Sequence, residues 1–562
     1  MPTPPYFRMF AAAFGFAILL VDPAGAQRPN QPQPAQNPQK FQNAAMAPLG
    51  PVQNGFLFGN NNNQGNGLGS NSNNVARGAG ANADFESLID LIQSTVATET
   101  WAENGGGEAE MRPFPTGVLV DAGGLLKLKS FDNAAATAEL AAKRGKALPL
   151  ASTTPAQPQT ARQAFQKSDL RYVSLPRLER EIARRQAAHK PLESSMLTLA
   201  GLERVQYIFV YPETGDLVLA GPAGGWYVND DGRILSKVTN EPVVRLDDLL
   251  VLLRRGADAA RSHFGCSINP RQENLAKTQA FLAASSQKPL EPTQRKKWLG
   301  DLRDTVGRQD IEIFGIDPSS RAAGVLVEAD YHMKLIGMGL AEGVDGVENY
   351  IASLAAASKR AGASPPPAMS VLRWWFTLNY DNLPRSEAGD AFELVGQGVR
   401  VLSENEMLAA QGQRVHTGQS DPLNREFAES FTAHFGELAK KYPVYGELRN
   451  IFDLAMAAAI IHSEGLAEKA GWKSELLAKS SKLGLPQNSV PREVETVINH
   501  RVVNQRTIFA GVSGGVMVAP RDVLKSAQAN DSAALAVMKP VATPANLDAN
   551  VWWWDAPSAS AK

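Results

Sequence analysis

A single cysteine, Cys266, among 562 residues leaves the chain without a partner for an intramolecular disulfide, so stability has to come from packed cores. Charge imbalance is missing too. Lys plus Arg number 56 and Asp plus Glu 57, a net charge of -1, which removes the basic field that draws proteins to nucleic acid or anionic lipid. Histidine is scarce at 7, with no closely spaced pair and no H-x-x-x-H, so neither a metal nor a cofactor is expected. No long hydrophobic run is present either. "MFAAAFGFAILLV" near the start and "IFDLAMAAAII" at 451–461 are both too short to span a bilayer, and the second contains Asp453 and reads as a buried helix.

What is there begins with a leader at residues 1–26. Arg8 precedes the first apolar run, Asp22–Pro23 breaks it, and "AGA" sets small residues before a cleavage at Gln27. Export to the periplasm or beyond the cell is expected, without a lipid anchor because no cysteine follows the cleavage. Residues 27–82 are rich in Pro, Gln, Asn and Gly, "GNNNNQGNGLGSNSNN" among them, and hold too little apolar surface to offset ordering entropy. A disordered tether is expected there. Residues 83–130 read as a small helix–strand module, with Phe85, Ile92 and Val96 at helical spacing behind a capping Asp84, then a strand "GVLVD" at 117–121. Residues 131–168, rich in Ala, Thr, Pro and Gln, read as a linker.

At 44% hydrophobic, the body can bury substantial cores. Residues 169–362 read as an α+β region. "LPRLEREIARR" is a helix behind Ser174 with Leu175, Leu178 and Ile182 on one face, "PETGD" and "DDG" are hairpin turns, and two further helices flank the strand around Cys266. Residues 363–520 read as a β-meander of "VLRWWFTLNYD", "AFELVG" and "GVRVLSE", then a helix at 424–441 carrying Phe427, Phe431 and Phe435, a second helix, and C-terminal strands. Residues 521–562 read as a polar tail ending in Trp552, Trp553 and Trp554. The expected fold class is α+β and multi-domain, with mixed helices and antiparallel hairpins.

The stretches "DFESLIDLIQSTVATETW", "LPRLERE", "VQYIFVYPETGDLVLAGPAGGW", "FGCSINP", "VEADYHMKLIGMGL" and "VLSENEM" together resemble an exported bacterial family known only as a domain of unknown function, number fifteen-ninety-eight. The resemblance covers most of residues 84–520. It implies export and a unified body, and brings no activity, ligand or catalytic residue to carry over.

Three motifs invite chemistry and read better as structure. "GVSGG" at 511–515 matches G-x-S-x-G around Ser513, but "VMVAP" after it reads as strand and all histidines precede it, so a glycine-kinked strand is expected. "GMGLAEG" at 337–343 follows a segment too polar for a central strand and reads as a turn. Cys266 reads as a buried thiol, because His263, three residues away along a strand, faces the other side. The trio Trp552, Trp553 and Trp554 is costly to leave exposed, so it is expected to dock on the chain's own body or on a partner. These three are the candidate interaction residues.

The densest polar stretch is "VLVEADYHMKLIGMGL" at 325–340. As a strand it would align Glu328, Asp330, His332 and Lys334 on one face about 7 Å apart. A helix over 318–336 fits better: Asp317–Pro318 opens it, Val325, Ala329, Met333 and Ile336 form a buried stripe, and Gly337 ends it. The polar residues then lie mostly outside and pair as Glu328 with His332 and Asp330 with Lys334, each exposed pair contributing about 0.2–0.5 kcal/mol.

Two classes of function follow. The first is a non-enzymatic envelope or extracellular protein that assembles with a protein partner. The second is an extracellular hydrolase using carboxylates that spacing does not reveal, with Glu328, Asp330 and His332 as the catalytic candidates.

Overall fold

The computed structural model describes residues 110–114, 117–121 and, with short interruptions, 163–556, all within one compact unit, Ala79–Lys562. The leader, the tether and the Asp84-capped helix lie outside the described residues. The expected strand at 117–121 is β2 (Gly117–Asp121), and its partner is a strand that was not anticipated, β1 (Glu110–Phe114), in antiparallel register from Glu110 opposite Asp121 to Phe114 opposite Gly117.

A five-stranded antiparallel sheet is built from β3 (Ser168–Ser174), β4 (Tyr207–Tyr211), β5 (Asp216–Ala223), β11 (Ala391–Glu393) and β17 (Trp553–Asp555), in the order β11-β4-β5-β3-β17. The "PETGD" turn closes β4 onto β5 because Gly215 takes φ +69°, a left-handed conformation that costs glycine nothing. β3 runs straight into α1 (Leu175–Ala187). The Ser174 hydroxyl accepts the Arg177 amide at 3.3 Å and Pro176 sits in the first turn, so Leu175, Leu178 and Ile182 are turned into the core as the sequence predicts. The "DDG" turn likewise joins β6 (Trp226–Val228) to β7 (Ile234–Ser236).

The larger sheet contains β8 (Phe264–Pro270), β9 (Arg308–Phe314), β10 (Met369–Asn379), β12 (Gly398–Leu408), β13 (Arg414–His416), β14 (Glu493–Glu495), β15 (Ile498–Val503) and β16 (Arg506–Val518). Its order is β13-β12-β10-β16-β8-β9-β14 with β15 also paired to β16, and β10 runs parallel to β16. β8 and β9 come from before residue 362 and the other strands from after it, so residues 169–362 and 363–520 share one sheet. The expected meander is corrected: β10 pairs directly with β12, while β11 leaves to pair with β4 in the other sheet, where its backbone groups are satisfied by Tyr207–Phe209.

The labelled helices beyond α1 are α2 (Leu246–Leu253), α3 (Gln272–Ser285), α4 (Arg295–Val306), α5 (Arg321–Gly337), α6 (Pro422–Ala433), α7 (Phe435–Lys441), α8 (Pro443–Ser463) and α9 (Ala533–Val541). The helix expected over 424–441 is broken at His434, whose ψ of 18° is no longer helical, into α6 and α7. Phe427, Phe431 and Phe435 still share one cluster, with Phe431 set edge-on to Tyr445 at 5.3 Å between ring centroids. α8 carries "IFDLAMAAAII" and is buried along nearly its whole length. Among the described residues, no helix is long and apolar enough to cross a membrane.

Residues 520–556 do not form the expected polar tail. α9 inserts Leu535, and β17 lays Trp554, over the aromatic face of the five-stranded sheet formed by Tyr172, Phe209 and Tyr211.

Candidate functional site

The helix at the polar stretch is present, but two of its expected features are corrected. It begins at Arg321 because Ser320, not Asp317, supplies the cap, accepting the Ala323 amide at 3.2 Å. More consequentially, Asp330, His332 and Lys334 are buried. α5 lies between β8 and β16 on one side and α8 on the other, so it has almost no solvated face to offer. Gly337 marks how tight this packing is, since a Cβ there would sit 2.3 Å from the Trp374 ring.

Burial forces each polar group to find a partner. The Lys334 ammonium donates to Asp330 at 2.6 Å, and both side chains are 0% exposed. Burial raises the Asp330 carboxyl above its ordinary range even with the ammonium beside it. The same pair reaches Cys266 on β8, whose thiol is pushed well up, first by burial and then by Asp330, so it is an unreactive thiol in the core as expected. His332 turns the other way. Its Nδ1 shares a 2.8 Å hydrogen bond with the Tyr445 hydroxyl of α8, its ring meets Tyr442 edge-on at 4.4 Å, and burial lowers its pKa to about 4. Glu328 remains 46% exposed and pairs with Arg233.

The three catalytic candidates therefore do not converge. At about 100° per residue, Asp330 projects away from both Glu328 and His332. Glu328 belongs to a seam of charges in which Arg321 holds Asp248 and, at 2.9 Å, Glu447; Arg233 also holds Glu447, and Arg245 holds Asp247 at 2.9 Å. Burial would raise Glu447, but Arg233 and Arg321 outweigh it and keep its carboxyl below the ordinary range. At Asp248 burial wins over Arg321 and lifts the pKa to about 6. A second set joins Asp453 of α8 to Arg204 at 2.9 Å and to the Tyr380 hydroxyl at 2.7 Å. These pairs tie α2, α5 and α8 to the sheets.

A polar group that the sequence reading did not single out lies on the large sheet. Glu404 and Glu406, two residues apart on β12, point to one face, and His416 Nδ1 of β13 lies 3.3 Å from each carboxylate. Arg373 pairs with Glu404 at 3.1 Å, Arg414 with Glu406 at 3.2 Å, and Ser513 donates to Glu406 at 2.9 Å. Burial works against ionisation of Glu404, yet the Gly418 amide and Arg373 hold its pKa below the ordinary range, which makes it an acceptor rather than a proton donor. Ser513 sits within β16, not on an elbow. The glycines after it permit close strand approach, because a Cβ on Gly514 would lie 1.6 Å from the Trp374 carbonyl oxygen. The signal in the sequence was the two-residue spacing in "VLSENEM".

The candidate interaction residues dock on the chain's own body. β17 adds to the edge of β3, Trp553 opposite Val173 and Trp554 opposite Tyr172. Trp552 is buried in the main core, and Trp554 stacks on Tyr172 at 5.6 Å. The fully buried Arg171 guanidinium grips Asp555 through two hydrogen bonds of 2.7 and 3.0 Å, donates to the carbonyls of Ala164 and Ala200, and lies 4.5 Å over the Trp553 ring. Arg177, held by Asp216 at 2.8 Å, donates to the carbonyls of Asp548 at 2.9 Å and Val551 at 3.3 Å. Two buried arginines thus hold this segment, Arg177 by the carbonyls of the turn at Asp548–Val551 and Arg171 by the Asp555 carboxylate.

Among the described residues, no group of three or more His, Cys, Asp or Glu is arranged to hold a metal ion. An open depression lined by Arg271, Gln272, Glu273 and Asp310 lies where β8 meets α3.

The chain is an α+β protein whose two larger sheets are tied to the helices by ion pairs and whose strand β17 docks on the edge of β3. Residues 266–350 match a family described as "Protein of unknown function (DUF1598)". The resemblance read over most of 84–520 is thus matched over the span that runs from Cys266 in β8 through α5 to Tyr350. No curated protein and no solved structure matches the chain.

Proposed function

We propose that this is an exported envelope or extracellular protein that works by binding another protein, not by turning over a substrate. The observation that carries this reading is the way the chain holds its own C-terminal strand. Strand addition, tryptophans seated on a sheet, and a buried arginine closing on one carboxylate are the means by which extended peptides are recognised between chains. The leader at 1–26 and the Pro-, Gln-, Asn- and Gly-rich tract after it support export and a body carried on a tether. Glu328, Asp330 and His332, the residues considered for hydrolysis, are each committed to a different neighbour. The test is cross-linking in the native host followed by capture of the full chain from the envelope fraction. The expected result is a mature N-terminus at Gln27 and a protein partner whose recovery falls in Trp553→Ala. Retention of Met1 on protein from the soluble interior would overturn export, and a chain recovered alone from the envelope would overturn binding.

A further inference from the structure

Of the lysines and arginines that form ion pairs, only lysine readily becomes a nucleophile, because arginine does not release its proton. Among the described residues, the pairs Lys167–Asp169, Lys441–Glu342 and Lys539–Asp390 all keep some contact with solvent. Lys334 and Asp330 keep none: both side chains are 0% exposed, with Nζ 2.6 Å from Oδ2. The pair is also incompletely satisfied. Asp330 Oδ1 is buried with no hydrogen-bond partner among the described residues, and an ammonium with three donors is met by one acceptor. Two charges taken out of water are compensated only when further hydrogen bonds complete both of them. Burial accordingly favours the neutral acid at Asp330, and the acid, unlike the carboxylate, is open to attack by an amine. The four-residue spacing stacks the two side chains one helical turn apart, with Cβ atoms about 5–6 Å from each other, so a bond between them needs no movement of the backbone.

We propose that Asp330 and Lys334 condense to an amide, a covalent staple across one turn of α5. The ammonium first passes a proton to the carboxylate, giving an amine and a carboxylic acid. Nζ then attacks the carboxyl carbon, which is one bond from the oxygen that Nζ already touches. The Cγ–O bond breaks, and its oxygen leaves as water with the proton that the nitrogen gives up. One C–N bond replaces one C–O bond, nothing is oxidised or reduced, and no co-reactant is required. Contact within the fold supplies the driving proximity, since well-oriented partners reach effective concentrations of about 10⁵–10⁸ M. The apolar surroundings favour a product with no charge over a pair with two. The staple closes only one turn, so it restricts the unfolded chain little; its benefit is the removal of two buried charges. It is also a cross-link open to a chain whose single cysteine rules out an intramolecular disulfide.

The full-length chain, purified in its folded state, then denatured and digested with trypsin, reports the bond by mass. An amide blocks cleavage after Lys334, so the expected product is one peptide from Ala322 to Lys359, lighter by one water and yielding no backbone fragments between residues 330 and 334 in tandem mass spectrometry. Separate peptides ending at Lys334 and starting at Leu335, both of full mass, would overturn the proposal. So would a water loss on a peptide that is still cut after Lys334, which is the mark of a succinimide at Asp330. Lys334→Arg keeps the charge but offers no amine, and its digest should show no loss of water; a loss that persists there also overturns the amide. The measurement on the native chain stands whether or not that variant folds, and it is independent of whether the protein binds a partner.

Discussion

Two ion pairs, one in the middle of the molecule and one at its rim, show how differently the same chemistry is written in a sequence. Asp330 and Lys334 are four residues apart on α5 and fully enclosed. Arg171 and Asp555 lie at opposite ends of the described body, with Asp555 still 35% exposed. The first pair was visible in the sequence, but its surroundings were not: helical spacing announces the contact and says nothing about whether a second layer covers that side. The second was invisible as a contact, although "WWWD" flagged a segment that had to be buried somewhere. Local spacing predicts partners; only the fold decides the dielectric around them, and with it the size of the effect.

That contrast orders the expected effects of substitution. Lys334→Met leaves a carboxyl buried without its counter-charge and should destabilise by about 3–5 kcal/mol in urea titrations. An effect near the 0.2–0.5 kcal/mol of an exposed pair would place α5 at the surface after all. Met333→Ala, at the same depth, should cost about 2–5 kcal/mol through lost burial and the cavity left behind. Its cost would fall below about 1 kcal/mol only if the site collapsed fully or were open to water.

The pH dependence comes next in size. His332 has its pKa lowered from 6.5 to about 4 in the folded protein, so its contribution is complete above about pH 6.5 and is lost as the pH falls toward 4, by up to about 3 kcal/mol. Asp248, raised to about 6, acts in the opposite sense across nearly the same window, adding stability as the pH falls, and masks the loss in the native chain. The difference between the native chain and His332→Gln isolates the histidine. That gap in unfolding free energy should shrink as the pH is lowered from 7 to 4. A constant gap would mean that His332 is accessible to solvent.

At the rim, Asp555→Asn should cost about 1–3 kcal/mol, the range for a buried donor losing its charged acceptor, and should show first as faster hydrogen exchange in β3 and β17. The smallest effect is expected at Glu328, which shares Arg233 with Glu447 and is partly solvated. Glu328→Gln should change stability by no more than about 1 kcal/mol.

Much of the fold was legible because its signals are local. Ser174 before α1, the glycine turns of both hairpins and the strand character of "GVSGG" all act over a few residues. Cys266 was read correctly from the habits of free thiols alone. What could not be read depends on distant pairing. The departure of β11 to the other sheet, the parallel contact of β10 with β16, and the addition of β17 to β3 join positions from 140 to 384 residues apart. The candidate carboxylates on α5 were misplaced for the same reason: residues such as Val327, Tyr331 and Leu335 lie off the assumed apolar stripe, and their presence was the available hint that both sides of the helix are covered. Glu404 and Glu406 were visible as a pair, while His416, Arg373 and Ser513 became their neighbours only through the sheet.

The interior character of α5 is tested most directly by a double-mutant cycle over Asp330→Leu and Lys334→Met, followed by urea denaturation at pH 7. The expected result is that each single substitution is severely destabilising while the double variant returns close to the native chain, giving a coupling at or beyond the top of the usual range of about 0.5–3 kcal/mol for residues in contact. Single substitutions that are each mild, with a coupling of only about 0.2–0.5 kcal/mol, would contradict it, because that is the behaviour of a helical pair in water.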